Sequence, residues 1–274
     1  MTNTASTPSV RDEQFMRRAL GTALQARLIS RPNPWVGAVV VAADGSTYEG
    51  CTSAVGGPHA EIHALRRAGE AARASTLYTT LEPCSHTGRT GPCTQAIIDA
   101  GVQRVVVGIV DPDPKVAGTG LDALRAAGIE VELGVLAGQV HSQLLPYIHH
   151  RTTGMPFVVL KMASTLDGKT AAANGTSQWI TGASARQRVH ELRAESDAVL
   201  VGAGTVRADD PELTVRDAEG TSPRRIVLGS APTQAKVHPC TEYSGDLTTL
   251  LHKLGSEDVL TLLVEGGHHV TGAF

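Results

Sequence analysis

Four side chains with the chemistry of a metal site lie close together in the chain: His59, Glu61, Cys84 and Cys93. One imidazole and two thiolates form a ligand set that zinc accepts in tetrahedral geometry. Three protein ligands leave the fourth coordination position for water, which distinguishes a catalytic site from a structural one. We therefore predict a catalytic zinc site with His59, Cys84 and Cys93 as the metal ligands.

Glu61 is predicted to carry protons rather than to bind the metal. Zinc lowers the pKa of a bound water toward neutrality, and a neighbouring carboxylate can then shuttle the proton. The nucleobase deaminases work in this way: water attacks an amino-bearing ring carbon, and a glutamate that is not a ligand moves the protons. Two residues separate the cysteines in their usual motif, whereas eight separate Cys84 from Cys93.

Two predicted helix starts bring these residues together. Pro58 precedes good helix formers over 59–68, and Cys93 opens a second predicted helix after the loop 83–93. The positive end of a helix dipole favours bound hydroxide and thiolates, so both N-termini are expected to converge on the metal. Taken singly, the cysteines could be buried apolar residues and the histidine–glutamate pair a solvated helix start. The combination favours zinc.

Length and composition limit the classes of protein to which this chain can belong. At 274 residues it exceeds the usual size of one domain, and we predict domains over 1–150 and 151–274. A net charge of −3 and a pI near 6.4 argue against nucleic-acid and membrane partners. Four cysteines are too few for a disulfide framework, and the N-terminus lacks the features of a signal peptide. A cytoplasmic enzyme is therefore expected.

Hydrophobic periodicity predicts two successive α/β units. In the first, predicted helices at 12–26, 59–68, 94–100 and 120–127 alternate with strands ending near 42, 52, 81, 110 and 133. Residues 136–156 are polar and are interpreted as the connection. In the second, strands at 157–162, 198–206, 225–228 and 259–264 accompany a helix over 184–194 with Ser184 as N-cap.

Two glycine turns follow buried strands of the second unit, at 202–204 and 266–267. Backbone N–H groups in such turns can cradle phosphates, as they do in dinucleotide sites. Neither turn matches the G-x-G-x-x-G pattern, so tight turns between packed elements are an equally good explanation of the glycines alone.

An ordered set of motifs resembles the bifunctional riboflavin-biosynthesis deaminase/reductase family over almost the whole chain. The deaminase-like motifs are PNPWVG at 32–37, HAE at 59–61, PCSHTGRTGPC at 83–93 and DPDPKVAGTG at 111–120. The reductase-like motifs are KMASTLDG at 161–168, SQWITG at 177–182, VGAGT at 201–205, DDPELT at 209–214 and EGG at 265–267.

The resemblance implies a fold, two reactions and their cofactors. A three-layer cytidine-deaminase-like zinc domain would precede a dihydrofolate-reductase-like α/β domain. With one Zn²⁺ per chain, the first would remove the ring 2-amino group of a pyrimidine ribosyl phosphate as ammonia. With NADPH, the second would reduce the ribosyl side chain to ribityl. Partners would be these small molecules, and family members often associate, so a homo-oligomer is expected.

The resemblance also assigns residues by position. Asn33 and Arg89 would bind the deaminase substrate, and Lys161 with Asp209 would serve catalysis in the reductase, where a lysine and a carboxylate can move the proton that accompanies hydride delivery. The reductase substrate would be bound by Ser177, Thr181, Arg193, Leu213 and Arg216. The cofactor would be bound by Trp179, Gly204, Thr205, Glu265, Gly266 and Gly267.

The chain departs from the family pattern in places. Thr52 stands where a histidine is common, Gly91 replaces a proline and Asp113 an asparagine. Only seven residues follow Gly267, so we expect an incomplete reductase domain that binds NADPH poorly and turns over slowly. Two other classes stay open: a nucleoside or tRNA-type zinc deaminase with an inactive second domain, and a non-catalytic zinc-binding module.

Overall fold

A computed structural model describes residues 9–86, 91–114, 116–170 and 180–274. The chain divides into two compact units, Met1–Thr152 and Thr153–Phe274, and each has its own five-stranded sheet. The domain limits predicted from the sequence, 1–150 and 151–274, stay a prediction, because one helix, Leu145–Thr153, runs through them.

The first unit is built on a mixed sheet with the strand order β2-β1-β3-β4-β5. Strand β1 is antiparallel to both of its neighbours, while β3, β4 and β5 are parallel. The strands are β1 Gly37–Val41, β2 Thr47–Cys51, β3 Thr76–Leu81, β4 Arg104–Ile109 and β5 Glu130–Leu133. The helices are α1 Val10–Ala23, α2 Ala60–Ala68, α3 Cys93–Asp99, α4 Thr119–Ala126, α5 Ala137–Gln143 and α6 Leu145–Thr153.

Helices α1 and α2 cover opposite faces of this sheet. Glu49 and Tyr78 both pair with Val39 and therefore share one face, where Thr22 of α1 donates a hydrogen bond to Glu49 over 3.0 Å. Gly50 pairs with Ala38, the neighbour of Val39 in β1, and therefore faces the other side of the sheet. A Cβ atom on Gly50 would lie 2.3 Å from the carbonyl oxygen of Ala60 in α2. The predicted three-layer arrangement is thus confirmed.

Residues 136–156, interpreted from the sequence as a polar connection, are mostly helical, because α5 and α6 occupy most of the segment. Val140, Leu144 and Tyr147 are buried, and their spacing of four and three residues is that of one helix face. The histidines and polar residues between them obscured this pattern in the sequence.

The second unit is built on a parallel sheet with the strand order β6-β10-β7-β8-β9. The strands are β6 Phe157–Leu160, β7 Ala198–Gly202, β8 Arg224–Leu228, β9 Thr241–Tyr243 and β10 Thr261–Val264. The helices are α7 Ala183–Ala194, α8 Ala203–Asp209, α9 Leu247–Ser256 and α10 His268–Thr271. The predicted N-cap at Ser184 is wrong, because α7 begins at Ala183 with Gly182 as its N-cap.

Both faces of the parallel sheet are buried, as parallel sheets require. Alternate residues of β7 contribute to two cores: Val199 and Val201 pack with Val206 of α8, and Leu200 packs with Leu250 of α9. The strand predicted over 198–206 therefore ends at Gly202, where α8 begins and carries the chain across the sheet. Among the described residues, no helix combines the length and apolar character needed to cross a membrane.

Candidate functional site

The three predicted metal ligands meet in space. Their ligand atoms, one imidazole nitrogen and two sulfurs, all lie within 4.8 Å of one another. The Sγ atoms of Cys84 and Cys93 are 3.6 and 3.3 Å from Nδ1 of His59. A tetrahedral zinc with ordinary bond lengths would separate nitrogen and sulfur by about 3.6 Å. The residues present therefore fit a zinc ion.

Two of the ligands lie at helix N-termini, and the third, Cys84, is hydrogen bonded to the start of one of these helices. His59 is the N-cap of α2, and Cys93 is the first residue of α3. The backbone N–H of Cys93 donates to Sγ of Cys84 over 3.4 Å, and the N–H of Thr94 donates to the carbonyl oxygen of Cys84 over 3.1 Å. The predicted convergence of two helix N-termini is confirmed.

The electrostatics of the cluster also suit a cation. The hydrogen bond with Cys93 lowers the pKa of Cys84 to about 4, whereas that same bond and burial raise the pKa of Cys93. The hydrogen bond with Cys84 raises the pKa of His59 to about 8. Two adjacent thiolates repel each other, and a bound metal ion is what deprotonates both.

Glu61 lies in the first turn of α2 and is 3% exposed. Burial raises the pKa of its carboxyl group to about 7, although the imidazole of His59 opposes that shift. A carboxyl group whose pKa lies near neutrality can both accept and release a proton, which suits the predicted role of proton carrier.

A second buried carboxylate, that of Glu82, organises the loop next to the metal ligands. It accepts four backbone hydrogen bonds, from the N–H groups of Asp111 (3.1 Å), Gly118 (2.9 Å), Gly120 (2.8 Å) and Leu121 (3.3 Å). Because Glu82 lies two residues before Cys84, these bonds fix the 111–121 segment beside the zinc-ligand segment.

Two further contacts hold the same segments together. A Cβ atom on Gly120 would lie 2.0 Å from the carbonyl oxygen of Pro83, so only glycine allows this approach. The hydroxyl groups of Ser85 and Thr119 are hydrogen bonded over 2.7 Å. The described residues of the DPDPKVAGTG motif thus support the chain segment that carries Cys84.

The predicted deaminase substrate residues have different outcomes. Asn33 lies in a turn before β1, where its N–H donates to the carbonyl oxygen of Ser30 over 2.8 Å, and its substrate role stays a prediction. Thr52, at the position of the family histidine, is buried and accepts a hydrogen bond from the N–H of Val36 over 3.0 Å. Arg89 lies outside the described residues.

In the second unit, a cavity of about 1240 Å³ opens at the carboxyl ends of the parallel strands. Ligands of open α/β sheets bind at this edge. Lys161 follows β6, the glycines at 202 and 204 lie where β7 passes directly into α8, and the residues 265–267 follow β10. The described residues that were predicted to serve this site all line the cavity: Lys161, Thr181, Arg193, Gly204, Thr205, Asp209, Leu213, Arg216, Glu265, Gly266 and Gly267.

An ion-pair network forms the floor of this cavity. Arg193 donates two hydrogen bonds to the carboxylate of Glu265, at 2.6 and 2.9 Å, and a third to the carbonyl oxygen of Thr214 at 3.1 Å. Lys161 Nζ lies 3.8 Å from the same carboxylate. The carboxylate of Glu265, a residue predicted to bind the cofactor, therefore lies beside Lys161. Arg193 has a protein partner in addition to its predicted role as a substrate ligand.

Three other predicted residues of the cavity have different surroundings. Arg216 forms an ion pair with Glu212, and the carbonyl oxygen of Thr181 accepts a hydrogen bond from Arg186 over 2.6 Å. Leu213 is buried in the left-handed region with a φ of 55°. Ser177 and Trp179 lie outside the described residues.

Sequence reasoning missed three residues in these sites: Glu82, His190 and Arg207. His190 is buried, lines the cavity, and its Nδ1 lies 3.0 Å from the carbonyl oxygen of Thr214. No short motif marks any of the three, although the strand immediately before Glu82 indicated a position at a strand end.

Two family models match the chain, in the order of the two units. The cytidine and deoxycytidylate deaminase zinc-binding region matches residues 9–109, and the RibD C-terminal domain matches residues 156–274. The riboflavin biosynthesis protein RibD of Escherichia coli K12 is 39% identical over 96% of this chain and 84% of its own length. The RibD protein of Chlamydia pneumoniae is 44% identical over 92% of this chain and 70% of its own length.

Solved structures agree with these sequence matches. Form 1 of Acinetobacter baumannii RibD has a TM-score of 0.89 and 40% identity, covering 96% of this chain and 83% of that one. The diaminohydroxyphosphoribosylaminopyrimidine deaminase/5-amino-6-(5-phosphoribosylamino)uracil reductase of Thermotoga maritima has a TM-score of 0.87 and 40% identity, with the same coverage. The zinc-type ligand cluster of the first unit and the strand-end cavity of the second agree with these matches. Because the matches cover nearly the whole chain at about 40% identity, the chain belongs to the RibD family of riboflavin biosynthesis proteins.

Proposed function

We propose that this chain catalyses two successive steps of riboflavin biosynthesis. The first is hydrolytic deamination of 2,5-diamino-6-ribosylamino-4(3H)-pyrimidinone 5′-phosphate. The second is NADPH-dependent reduction of 5-amino-6-(5-phosphoribosylamino)uracil to its ribitylamino product. The observation that carries the proposal is the presence in one chain of a His/Cys/Cys cluster with a buried glutamate and of a separate cavity at the carboxyl ends of a parallel sheet.

In the deaminase unit, His59, Cys84 and Cys93 would hold the zinc ion, which when bound supplies an acidic water molecule. Glu61 would be the proton carrier: its carboxylate is placed to accept a proton from an attacking water, whose oxygen bonds the ring carbon, and to deliver that proton to the amino group, which leaves as ammonia. The buried position of Glu61 keeps competing solvent away from this transfer. Glu82 acts at a distance, by fixing the segment that carries Cys84.

In the reductase unit, NADPH supplies the hydride and the protein must supply a proton. Lys161 is the proton donor in this proposal, since its ammonium group lies at the cavity floor. Glu265 fixes the position of that ammonium group at 3.8 Å, and Arg193 fixes Glu265 in turn. Gly204 and Gly267 line the cavity with open space where a Cβ atom would lie, which allows a nucleotide to approach the backbone closely.

Substrate selectivity tests this proposal against a nucleoside or tRNA-type deaminase. We expect the zinc-loaded chain to release ammonia from the diaminopyrimidine ribosyl phosphate and to oxidise NADPH when the deaminated product is present. Cytidine, adenosine and tRNA should give no ammonia above the background of a Glu61→Gln control. Ammonia release from one of those substrates, and none from the pyrimidine phosphate, would assign the chain to the other class.

The proposal includes a cytoplasmic homo-oligomer. All four cysteines are unpaired thiols, which is typical of a reducing compartment. Sedimentation of the full chain at micromolar concentration gives the oligomeric state directly, and a monomer at all concentrations would contradict this part of the proposal.

A further inference from the structure

Among the residues that the structure describes, the cavity of the second unit is lined by six lysine and arginine side chains. These are Lys161, Arg186, Arg193, Arg207, Arg216 and Lys236. Under the proposed function, on which this inference rests, both ligands of the cavity carry a phosphate monoester: the 2′-phosphate of NADPH and the 5′-phosphate of the pyrimidine ribosyl substrate. Recognition of either group calls for a cation that is available to it.

Five of the six cations already have protein partners. Lys161 and Arg193 share the carboxylate of Glu265, with Arg193 only 11% exposed. The other three pair near the rim: Arg216 with Glu212, Lys236 with Asp210 at 3.3 Å, and Arg186 with the carbonyl oxygen of Thr181 at 2.6 Å. A phosphate that approached these groups would have to compete with the oxygen atom that already binds each of them.

Arg207 differs from the other five. Within the described part of the chain, its guanidinium makes no hydrogen bond or ion pair, and the residue is exposed. It lies in α8, two residues after Thr205, on the helix that follows β7 and whose first turn lines the cavity. An unpaired guanidinium can present two parallel N–H donors to a ligand without first breaking a bond within the protein.

We propose that Arg207 is a specificity-determining residue of the reductase cavity and binds a phosphate monoester through a bidentate, charge-assisted contact. The two sources of that phosphate, the 2′-phosphate of NADPH and the 5′-phosphate of the substrate, share this chemistry. They are distinguished by which ligand loses affinity when the guanidinium is removed.

The test uses the full chain with Arg207→Leu. Loss of a charge-assisted hydrogen bond corresponds to roughly a tenfold to hundredfold loss of affinity. If the phosphate is that of the cofactor, the Kd of NADPH, followed by cofactor fluorescence, rises by this factor while the Kd of NADH is unchanged. If the phosphate is that of the substrate, KM rises for the phosphorylated pyrimidine and not for its dephosphorylated form, and both cofactors bind as before.

Two control variants keep the result interpretable. Arg207→Lys keeps the charge but loses the paired donors, so it should recover part of the lost affinity. Lys253→Leu removes an exposed cation of α9 that does not line the cavity. It should change neither the ratio of the Kd values for NADPH and NADH nor the ratio of the KM values for the phosphorylated and dephosphorylated pyrimidine. Unchanged NADPH/NADH and phosphorylated/dephosphorylated ratios in Arg207→Leu would overturn the inference while leaving the proposed function standing. A wild-type chain that binds neither cofactor would instead overturn the proposed function and this inference with it.

Discussion

Replacing Glu82 with glutamine should destabilise the deaminase unit strongly, because it removes the acceptor of four backbone hydrogen bonds. The side chain is 4% exposed, and each carboxylate oxygen accepts two N–H groups. An amide keeps one acceptor oxygen and turns its NH₂ group toward the other two donors. Two lost bonds to a charged group, with buried N–H groups left unpaired, cost roughly 3–5 kcal/mol.

Calorimetry of the full chain measures this cost. For a unit of this size, such a loss lowers the melting temperature by on the order of 10 °C. The matched control is Glu130→Gln, because the Glu130 side chain is 68% exposed and its one ion pair among the described residues is with Arg104. An exposed ion pair contributes about 0–1 kcal/mol, so this control should shift the transition by a few degrees at most.

The Glu82 variant also tests whether the hydrogen bonds of Glu82 support the segment that carries Cys84. We expect its zinc affinity and its deaminase kcat to fall, while NADPH oxidation on supplied deaminated substrate continues in the second unit. If Glu82→Gln melted within about 2 °C of the wild type and bound zinc equally well, the four hydrogen bonds would contribute little, and Glu82 would not be what fixes the segment carrying Cys84.

Two other perturbations have equally definite outcomes. Cys84→Ser should lower the zinc content well below one ion per chain, measured by metal analysis, and a full complement of zinc would remove Cys84 from the ligand set. Burial tends to raise the pKa of Asp12, but hydrogen bonds from Arg104, Ser9 and Tyr78 outweigh it and lower the pKa to about 2. Because this folded-state pKa lies below the ordinary value of 3.8, the ionised carboxylate of Asp12 stabilises the folded protein by roughly 1–2 kcal/mol above pH 4. This stabilisation is lost as the pH falls through 2. Urea unfolding should therefore show a gap between wild type and Asp12→Asn at pH 7 that closes toward pH 2, and a constant gap would contradict this assignment.

The metal centre could be predicted from the sequence because its chemistry depends on residue type and local helix starts. Pro58 and Cys93 marked where α2 and α3 begin, and a helix N-terminus directs nearby side chains toward one point. The parallel strands of the second unit were equally visible, since strands buried on both faces are continuous runs of apolar residues.

Interactions between distant residues could not be predicted in the same way. The pair Arg193–Glu265 joins residues 72 positions apart, and the bonds of Glu82 span 29 to 39 positions. Local periodicity contains no information on such pairing, because it depends on which strands become neighbours. Lys161 and Glu265 are a further case, since only the adjacent order of β6 and β10 brings these two residues together.

The central claim is that one chain holds two separate active sites, and the Glu61→Gln variant tests it most directly. Ammonia release and NADPH oxidation are measured on a single zinc-loaded preparation, with the diaminopyrimidine phosphate and with its deaminated product. We predict that ammonia release falls by at least about a hundredfold, as expected when a general acid–base group is removed, while the supplied deaminated product is reduced at the wild-type rate. Ammonia release at a rate near that of the wild type would contradict the claim.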